Sequence, residues 1–362
     1  MPTVSLCMIV KNEEDTLGRC LDSVYDLVDE IIVVDTGSKD MTKEIARKYT
    51  VKVYDFPWID DFSAARNYSF EQATMDYIFW LDADDVVLPE DREKFRRLLA
   101  ALDPKIDAVM MKYNIAFDEQ GNATFSYLRE RLVKRVCNFK WREPVHEYLD
   151  IRGQIFISDL CITHLKACSS LPGRNLAIYE KLLASGHKLT PRGLYYYARE
   201  LKDNEKYDRA IEHFTKFLET GQGWYEDCIN ACLELARCYA IKKDYQKSLE
   251  ALFKSFSYDL PRAEVCCEIG YHYKNLNDLE KAIFWFELAT QLKKPENSWG
   301  FIQVDYWGLI PCLELCCCYY QLGNLEKAVE YNQRAEKFKP NDPSVLFNKQ
   351  LFASISNSVQ PQ

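Results

Sequence analysis

A chain of 362 residues, 48% hydrophobic and 14% aromatic with 13 Gly and 13 Pro, has an ordinary globular composition and length enough for two cores, which excludes a disordered or collagen-like polymer. Its 46 Lys and Arg against 55 Asp and Glu leave a formal net charge of -9, which disfavours non-specific binding to nucleic acid or to an anionic membrane surface. The surplus is lopsided: residues 1–165 carry 21 basic and 30 acidic side chains, and residues 166–362 carry 25 of each.

Val4–Val10 reads as a strand, and residues 14–27 as a helix with Leu17, Leu21, Val24 and Leu27 near 3.6 spacing. The run Ile31-Ile32-Val33-Val34 is wholly apolar, the form of a strand buried on both faces, and it stops at the turn Asp35-Thr36-Gly37-Ser38. A helix over 39–49, a strand over 51–54, a helix over 62–73 and a second buried strand over 77–81 follow. Alternation of this kind predicts an α/β domain, a mostly parallel sheet with helices on both faces. Ligands of such sheets bind beyond the carboxyl ends of the strands, where Lys11-Asn12-Glu13, Asp35 and Asp82 fall.

Trp80-Leu81-Asp82-Ala83-Asp84-Asp85 sets three carboxylates just past a buried strand. Clustered carboxylates repel unless a cation sits between them, and hard oxygen ligands suit Mg²⁺ or Mn²⁺ bridged to substrate phosphates. Each acid also has a local alternative: Asp35 and Asp40 could cap the next helix, and Arg66 could pair with Asp60 or Asp61. Between Arg129 and Arg142 six basic residues face the single acid Glu130, a stretch suited to a diphosphate or merely a solvated strand pair.

After about residue 190 the period changes. Tyr207-Asp208-Arg209-Ala210, Tyr245-Gln246-Lys247-Ser248, Leu279-Glu280-Lys281-Ala282 and Leu325-Glu326-Lys327-Ala328 repeat one pattern, with small residues 38, 34 and 46 apart and Pro261, Pro295 and Pro340 closing units. A helix-turn-helix repeat near 34 residues resembles the tetratricopeptide repeat. The longest gap holds Trp299, Phe301, Tyr306 and Trp307, which either pack neighbouring helices or form an interaction surface. The expected domains are residues 1–165, a linking helical region over 166–192, repeats over 193–352 and a frayed polar tail over 353–362.

The 14 cysteines contain no C-x-x-C, so paired zinc knuckles are not expected, and pairs such as Cys228/Cys232 and Cys312/Cys316 fall on one helix face as small core hydrophobes. With no export leader and no apolar run long enough to span a bilayer, free thiols in a reducing cytoplasm are expected.

Four segments in order, Ser5–Glu13, Ile32–Asp40, Asp61–Asn67 and Leu81–Asp85, resemble inverting family 2 glycosyltransferases, enzymes of GT-A fold. The combination with carboxyl-terminal tetratricopeptide repeats resembles bacterial enzymes that glycosylate peptides or proteins, including sublancin-type peptide S-glycosyltransferases. The resemblance implies a UDP-sugar donor and a Mg²⁺ or Mn²⁺ cofactor. It places the nucleotide at Val10, Lys11, Asn12 and Glu13, the uracil at Asp35, and Arg66 near the base or diphosphate. Asp84 becomes the direct metal ligand, Asp82 with Ala83 lies near the ribose or a metal-bound water, and a late histidine, His164, joins the metal. Glu147 matches the general base, with His146 as its partner or in exchanged roles. The Glu143-Pro144 pair departs from the usual glycine before Val-His-Glu. The repeats would bind an acceptor peptide or protein, or a second copy of the chain in a homodimer. A polysaccharide or lipid acceptor, and a catalytically dead scaffold, are the alternatives.

Overall fold

The computed structural model describes residues 1–117, 121, 123–165, 173–294 and 303–358, in two compact units, Met1–Lys188 and Leu189–Gln362. In chain order the first unit contains β1 (Val4–Val10), α1 (Leu17–Asp22), β2 (Glu30–Asp35), α2 (Thr42–Ala46), β3 (Val53–Asp55) and α3 (Phe62–Glu71). It continues with β4 (Tyr77–Trp80), β5 (Asp85–Val86), α4 (Pro89–Ala101), β6 (Ala108–Phe117) and β7 (Ala123–Lys134). The short β8 (Trp141–Arg142) and β9 (Tyr148–Leu149), then β10 (Ile155–His164) and α5 (Arg174–Ala184), complete it.

One eight-stranded sheet runs in the order β3-β2-β1-β4-β7-β6-β10-β5. The first four strands are mutually parallel, β7 is antiparallel to both neighbours, and β6 is parallel to β10. This is the mostly parallel GT-A-type sheet that the resemblance implies. Alternate residues of β1 serve two layers. Val4, Leu6, Met8 and Val10 join Leu17 and Leu21 of α1 and Phe95 and Leu99 of α4, while Cys7 joins Ile32, Val34, Ile78, Trp80, Phe70 of α3 and Trp141 of β8. Side chains buried this fully contribute about 1.5–3 kcal/mol each.

Two expected helices are shorter than their apolar spacing suggests. The span over 14–27 keeps a helix only at Leu17–Asp22, and that over 39–49 only at Thr42–Ala46. Hydroxyls at both ends of α1 bond locally, Thr16 to the Glu13 carboxylate (2.6 Å) and Ser23 to the Cys20 carbonyl (2.7 Å). Such bonds compete with helix propagation. Val24 and Leu27 stay buried all the same.

The second unit pairs α6 (Pro191–Asp203) with α7 (Tyr207–Glu219), α8 (Tyr225–Ile241) with α9 (Tyr245–Lys254), α10 (Ala263–Asn275) with α11 (Leu279–Gln291) and α12 (Leu309–Gln321) with α13 (Leu325–Phe338), and ends in α14 (Pro343–Ser358). Each repeated tetrapeptide opens the second helix of a pair, and its small residue, Ala210, Ser248, Ala282 or Ala328, is buried at the helix contact. The preceding turns reuse one device, a left-handed residue at Glu205, Lys243, Asn277 or Gly323. Asp244, Asp278 and Asn324 then cap α9, α11 and α13.

In the long gap Trp307 donates its indole N–H to Glu264 (2.9 Å), and Tyr306 packs on the helical core; Pro295, Trp299 and Phe301 lie outside the described residues. Helix α14 runs on through Ser354 to Ser358, with Val345 and Phe352 buried against the last pair, and the rest of the expected frayed tail, residues 359–362, lies outside the described residues. Among the described residues 13 cysteines are free; those at 228, 232, 312 and 316 are core side chains, as their spacing predicts, and Cys266 and Cys267 are buried as well. No helix among them is long and apolar enough to cross a membrane.

Candidate active site

The loops after β1 and β2 leave the sheet together. The Val10 carbonyl accepts the N–H (2.9 Å) and the hydroxyl (3.1 Å) of Thr36. Asn12, at φ 55, donates its N–H to Ser38 Oγ (2.9 Å) and accepts the Lys39 N–H on Oδ1 (2.8 Å). Lys11 Nζ lies 5.8 Å from the Trp58 ring. Asp35 is buried and accepts the N–H groups of Gly37 (3.0 Å) and Ser38 (3.0 Å), so its carboxylate holds the turn after β2 and does not cap α2. Asp40 likewise accepts from the N–H (3.1 Å) and hydroxyl (2.6 Å) of Thr42, at the start of α2. Val10 and Ala83 bury their side chains in the core. Burial pushes the Glu13 carboxyl up, the Thr16 hydroxyl opposes, and the charges of Asp84 and Asp82 add to the rise, so Glu13 lies within the field of the acidic loop.

Beyond β4 the chain turns tightly, with the Asp85 N–H donating to the Asp82 carbonyl (3.0 Å). Asp85, which sequence reasoning left without a role, organises this turn. Its Oδ2 accepts the Asp82 N–H (3.0 Å) and pairs with Arg131 Nη1 (2.9 Å), and its Oδ1 accepts the Tyr113 hydroxyl (2.8 Å). The antiparallel ladder of β5 and β10 sets His164 opposite Asp85, and the Leu165 N–H bonds the Asp84 carbonyl (2.8 Å). His164 Nδ1 therefore sits 3.3 Å from Asp84 Oδ1, 3.4 Å from Asp85 Oδ1 and 3.0 Å from the Tyr113 hydroxyl. Hydrogen bonds to Asp84 and then Asp85 raise its imidazole to about 9.

Ligand atoms of Asp84, Asp85 and His164 lie within 4.8 Å of one another. Two carboxylates and an imidazole suit a divalent cation such as Mn²⁺ or Mg²⁺. Asp85 is already committed to Arg131, Tyr113 and the Asp82 backbone, so Asp84 and His164 are the members with donor capacity to spare. Asp82 turns the other way, towards Arg66.

Arg66, 8% exposed, donates from Nη2 to Asp82 Oδ1 (2.7 Å) and from Nε to Glu147 Oε1 (2.7 Å). Burial alone would raise the Asp82 carboxyl, but Arg66 first, then Arg131, hold it down at about 2. The neighbouring Asn67 brackets β8, donating to the Trp141 carbonyl (3.0 Å) and accepting its N–H (2.9 Å). Glu143 and His146, at φ 70 and 54, lie in the loop between β8 and β9 that also carries Glu147. The alternative pairing of Arg66 with Asp60 or Asp61 is not adopted. Asp61 caps α3 through the Ala64 N–H (2.9 Å), and Asp60 pairs with Lys181 (2.7 Å).

The basic stretch does not act as one unit, which corrects the diphosphate reading for most of it. Lys134 and Arg135 bond the carbonyls of Pro104 and Met75, Lys140 pairs with Glu71 (3.3 Å), and Arg142 with Asp150 (3.8 Å). Arg131 is sealed from solvent, 3.9 Å from the Trp80 ring centroid and 4.3 Å from that of Tyr113. Its signal in the sequence was an arginine beside the buried run Leu132-Val133, where an unpaired charge is not tolerated.

The fold is a mostly parallel GT-A-like α/β domain followed by paired helices, and the comparisons supply its family. Residues 5–154 match Glycosyl transferase family 2, and residues 263–295 and 312–342 match the Tetratricopeptide repeat, so the chain carries a family 2 domain joined to tetratricopeptide repeats. It is 41% identical over 150 residues to a TPR repeat-containing protein of Synechococcus elongatus, covering 41% of this chain and 36% of that one. It is 30% identical over 234 residues to the SPbeta prophage-derived glycosyltransferase SunS of Bacillus subtilis, covering 59% and 53%. The chain thus matches between about a third and about half of the length of these curated relatives.

Proposed function

We propose that the chain transfers a sugar from a UDP-sugar, with inversion, to a Cys, Ser or Thr side chain of a peptide or protein. The observation that carries this reading is the convergence, at the carboxyl edge of a family 2 domain, of Asp84 with His164 and of Asp82 with Glu147 through Arg66. Asp84 and His164 would hold a divalent cation, which when bound neutralises charge on a departing diphosphate. Asn12, Glu13 and Asp35, gathered where β1 and β2 end, would receive the nucleotide.

In a single displacement the acceptor's X–H bond breaks and its proton goes to Glu147, or to His146 beside it. The acceptor atom bonds the anomeric carbon as the bond to the diphosphate breaks, and UDP leaves with the bonding pair. No glycosyl-enzyme forms. A thiol acceptor, with an ordinary pKa of about 8.5, needs less help from the base than an alcohol. The tetratricopeptide repeats, which in general build extended binding surfaces for protein segments, support a polypeptide acceptor over a lipid or polysaccharide.

Calorimetric titration of UDP in the presence of Mn²⁺, with an intact-mass screen of UDP-sugars and candidate peptides, tests the proposal. Metal-dependent heat and a sugar-sized mass gain are expected, both lost in Asp84→Ala. Unchanged transfer by Asp84→Ala would refute the metal assignment, and the absence of metal-dependent heat would favour a dead scaffold.

A further inference from the structure

The geometry points to Arg66 as a positioning residue, one that holds Glu147 in place for proton transfer by tying it to the acidic loop at Asp82. The inference rests on the proposed reaction with Glu147 as its base, and it moves Arg66 from the nucleotide side of the site to the acceptor side.

Two of the guanidinium's five N–H donors bond protein carboxylates, Nε on Glu147 and Nη2 on Asp82, each at 2.7 Å. Two indoles close around the same group, with ring centroids 5.0 Å (Trp80) and 4.8 Å (Trp141) from its central carbon. A planar fork held by two ion pairs and two rings has little freedom to swing out to a ligand. Glu147 needs such a holder. Its loop includes left-handed Glu143 and His146, conformations that persist only where the surroundings over-determine them.

Part of those surroundings comes from α3. The Phe62 N–H, at its first turn, donates to the Pro144 carbonyl (2.9 Å), Asn67 brackets Trp141, and Arg66 grips Glu147. Consecutive residues 66 and 67 therefore clamp the side chain and the strand of one hairpin. With Oε1 of Glu147 committed to Arg66, Oε2 is the oxygen left to take the acceptor's proton. The same guanidinium reaches Asp82, so a donor bound at the acidic loop and a base on the hairpin share one cation.

A double-variant cycle tests this on the full chain, using Arg66→Lys, Glu147→Gln and both together. The readouts are UDP release from whichever UDP-sugar the parent turns over with Mn²⁺, and the Kd of UDP with Mn²⁺. Lysine keeps the charge but lacks the rigid planar fork that presents Nε and Nη2 to the two carboxylates at once. Arg66→Lys should lower UDP release by roughly 30-fold or more and shift the UDP Kd by less than about threefold, and in the Glu147→Gln background it should cost less than about threefold more. Guanidinium ion added to Arg66→Ala should restore UDP release when Glu147 is present and not when it is Gln.

Losses that multiply across the cycle, or a UDP Kd that weakens in step with the rate, would overturn the inference and return Arg66 to the donor. If Arg66→Ala does not fold, the lysine cycle decides alone. No UDP release by the parent from any UDP-sugar would sink the transfer reading and this inference with it, a result distinct from multiplicative losses, which leave transfer standing.

Discussion

Replacing Arg131 by methionine strands a carboxylate in the middle of the first unit. Arg131 and Asp85 both have fully buried side chains, paired at 2.9 Å, and removing one partner of such a pair costs about 3–5 kcal/mol. Asp85 would retain the Tyr113 hydroxyl (2.8 Å) and the Asp82 N–H (3.0 Å). The substitution also removes two buried donors, Nε and Nη2 of Arg131, that have no hydrogen-bond partner among the described residues. Both facts pull the expected cost to the lower end, about 3 kcal/mol.

In a unit of this size, Met1–Lys188, each kcal/mol lowers the midpoint by about 2–4 °C, so a fall near 10 °C is expected. Scanning calorimetry of the whole chain is the assay, because two units need not melt as one transition. Arg131→Met with Asp85→Asn should recover about half of the loss, since a neutral amide is cheaper to bury than an unpaired charge. A shift under about 3 °C for the single variant, or no recovery in the double, would refute the argument that this ion pair holds the acidic turn.

Two further outcomes follow from the packing. Glu30 is buried in the first unit; burial alone would raise its carboxyl, but Lys52, Ser5 and Thr74 bond it and hold it down at about 2. Its contribution is therefore complete above the ordinary carboxyl value of about 4.3 and is lost as the pH falls through the folded value. Glu30→Gln should unfold at lower urea than the parent at pH 7, with the gap narrowing steadily from about pH 4 towards pH 2; a pH-independent gap would contradict it. In the repeats, a methyl at Gly270 would meet the Phe286 ring at 2.7 Å, and Phe286 is fully buried. Gly270→Ala should lower the repeat transition by about 1–2 kcal/mol despite alanine's better helix propensity, and a stabilised repeat unit would show that the ring has room to move.

Much of this protein is readable from its residues in order. Wholly apolar runs such as Ile31–Val34 require strands covered on both faces, because each exposed branched side chain would forfeit its burial. The spacing of Ala210, Ser248, Ala282 and Ala328 marks where two helix backbones approach, since a larger side chain would hold them apart. The acids after Trp80 had to lie at a strand end, where ligands of parallel sheets gather. All of these are local or periodic signals.

What only the tertiary structure decided are the partnerships across the sheet. Arg66 finds Asp82 sixteen residues on and Glu147 eighty-one residues on, and His164 reaches Asp84 because β10 returns beside β5. Such meetings depend on strand order, and nothing in the pattern of β6, β7 or β10 announces that β7 is inserted antiparallel between β4 and β6. Charge pairing is also indifferent to sequence distance. A guanidinium near several acids in sequence can satisfy its donors with any of them, and the sheet chose those that share its burial.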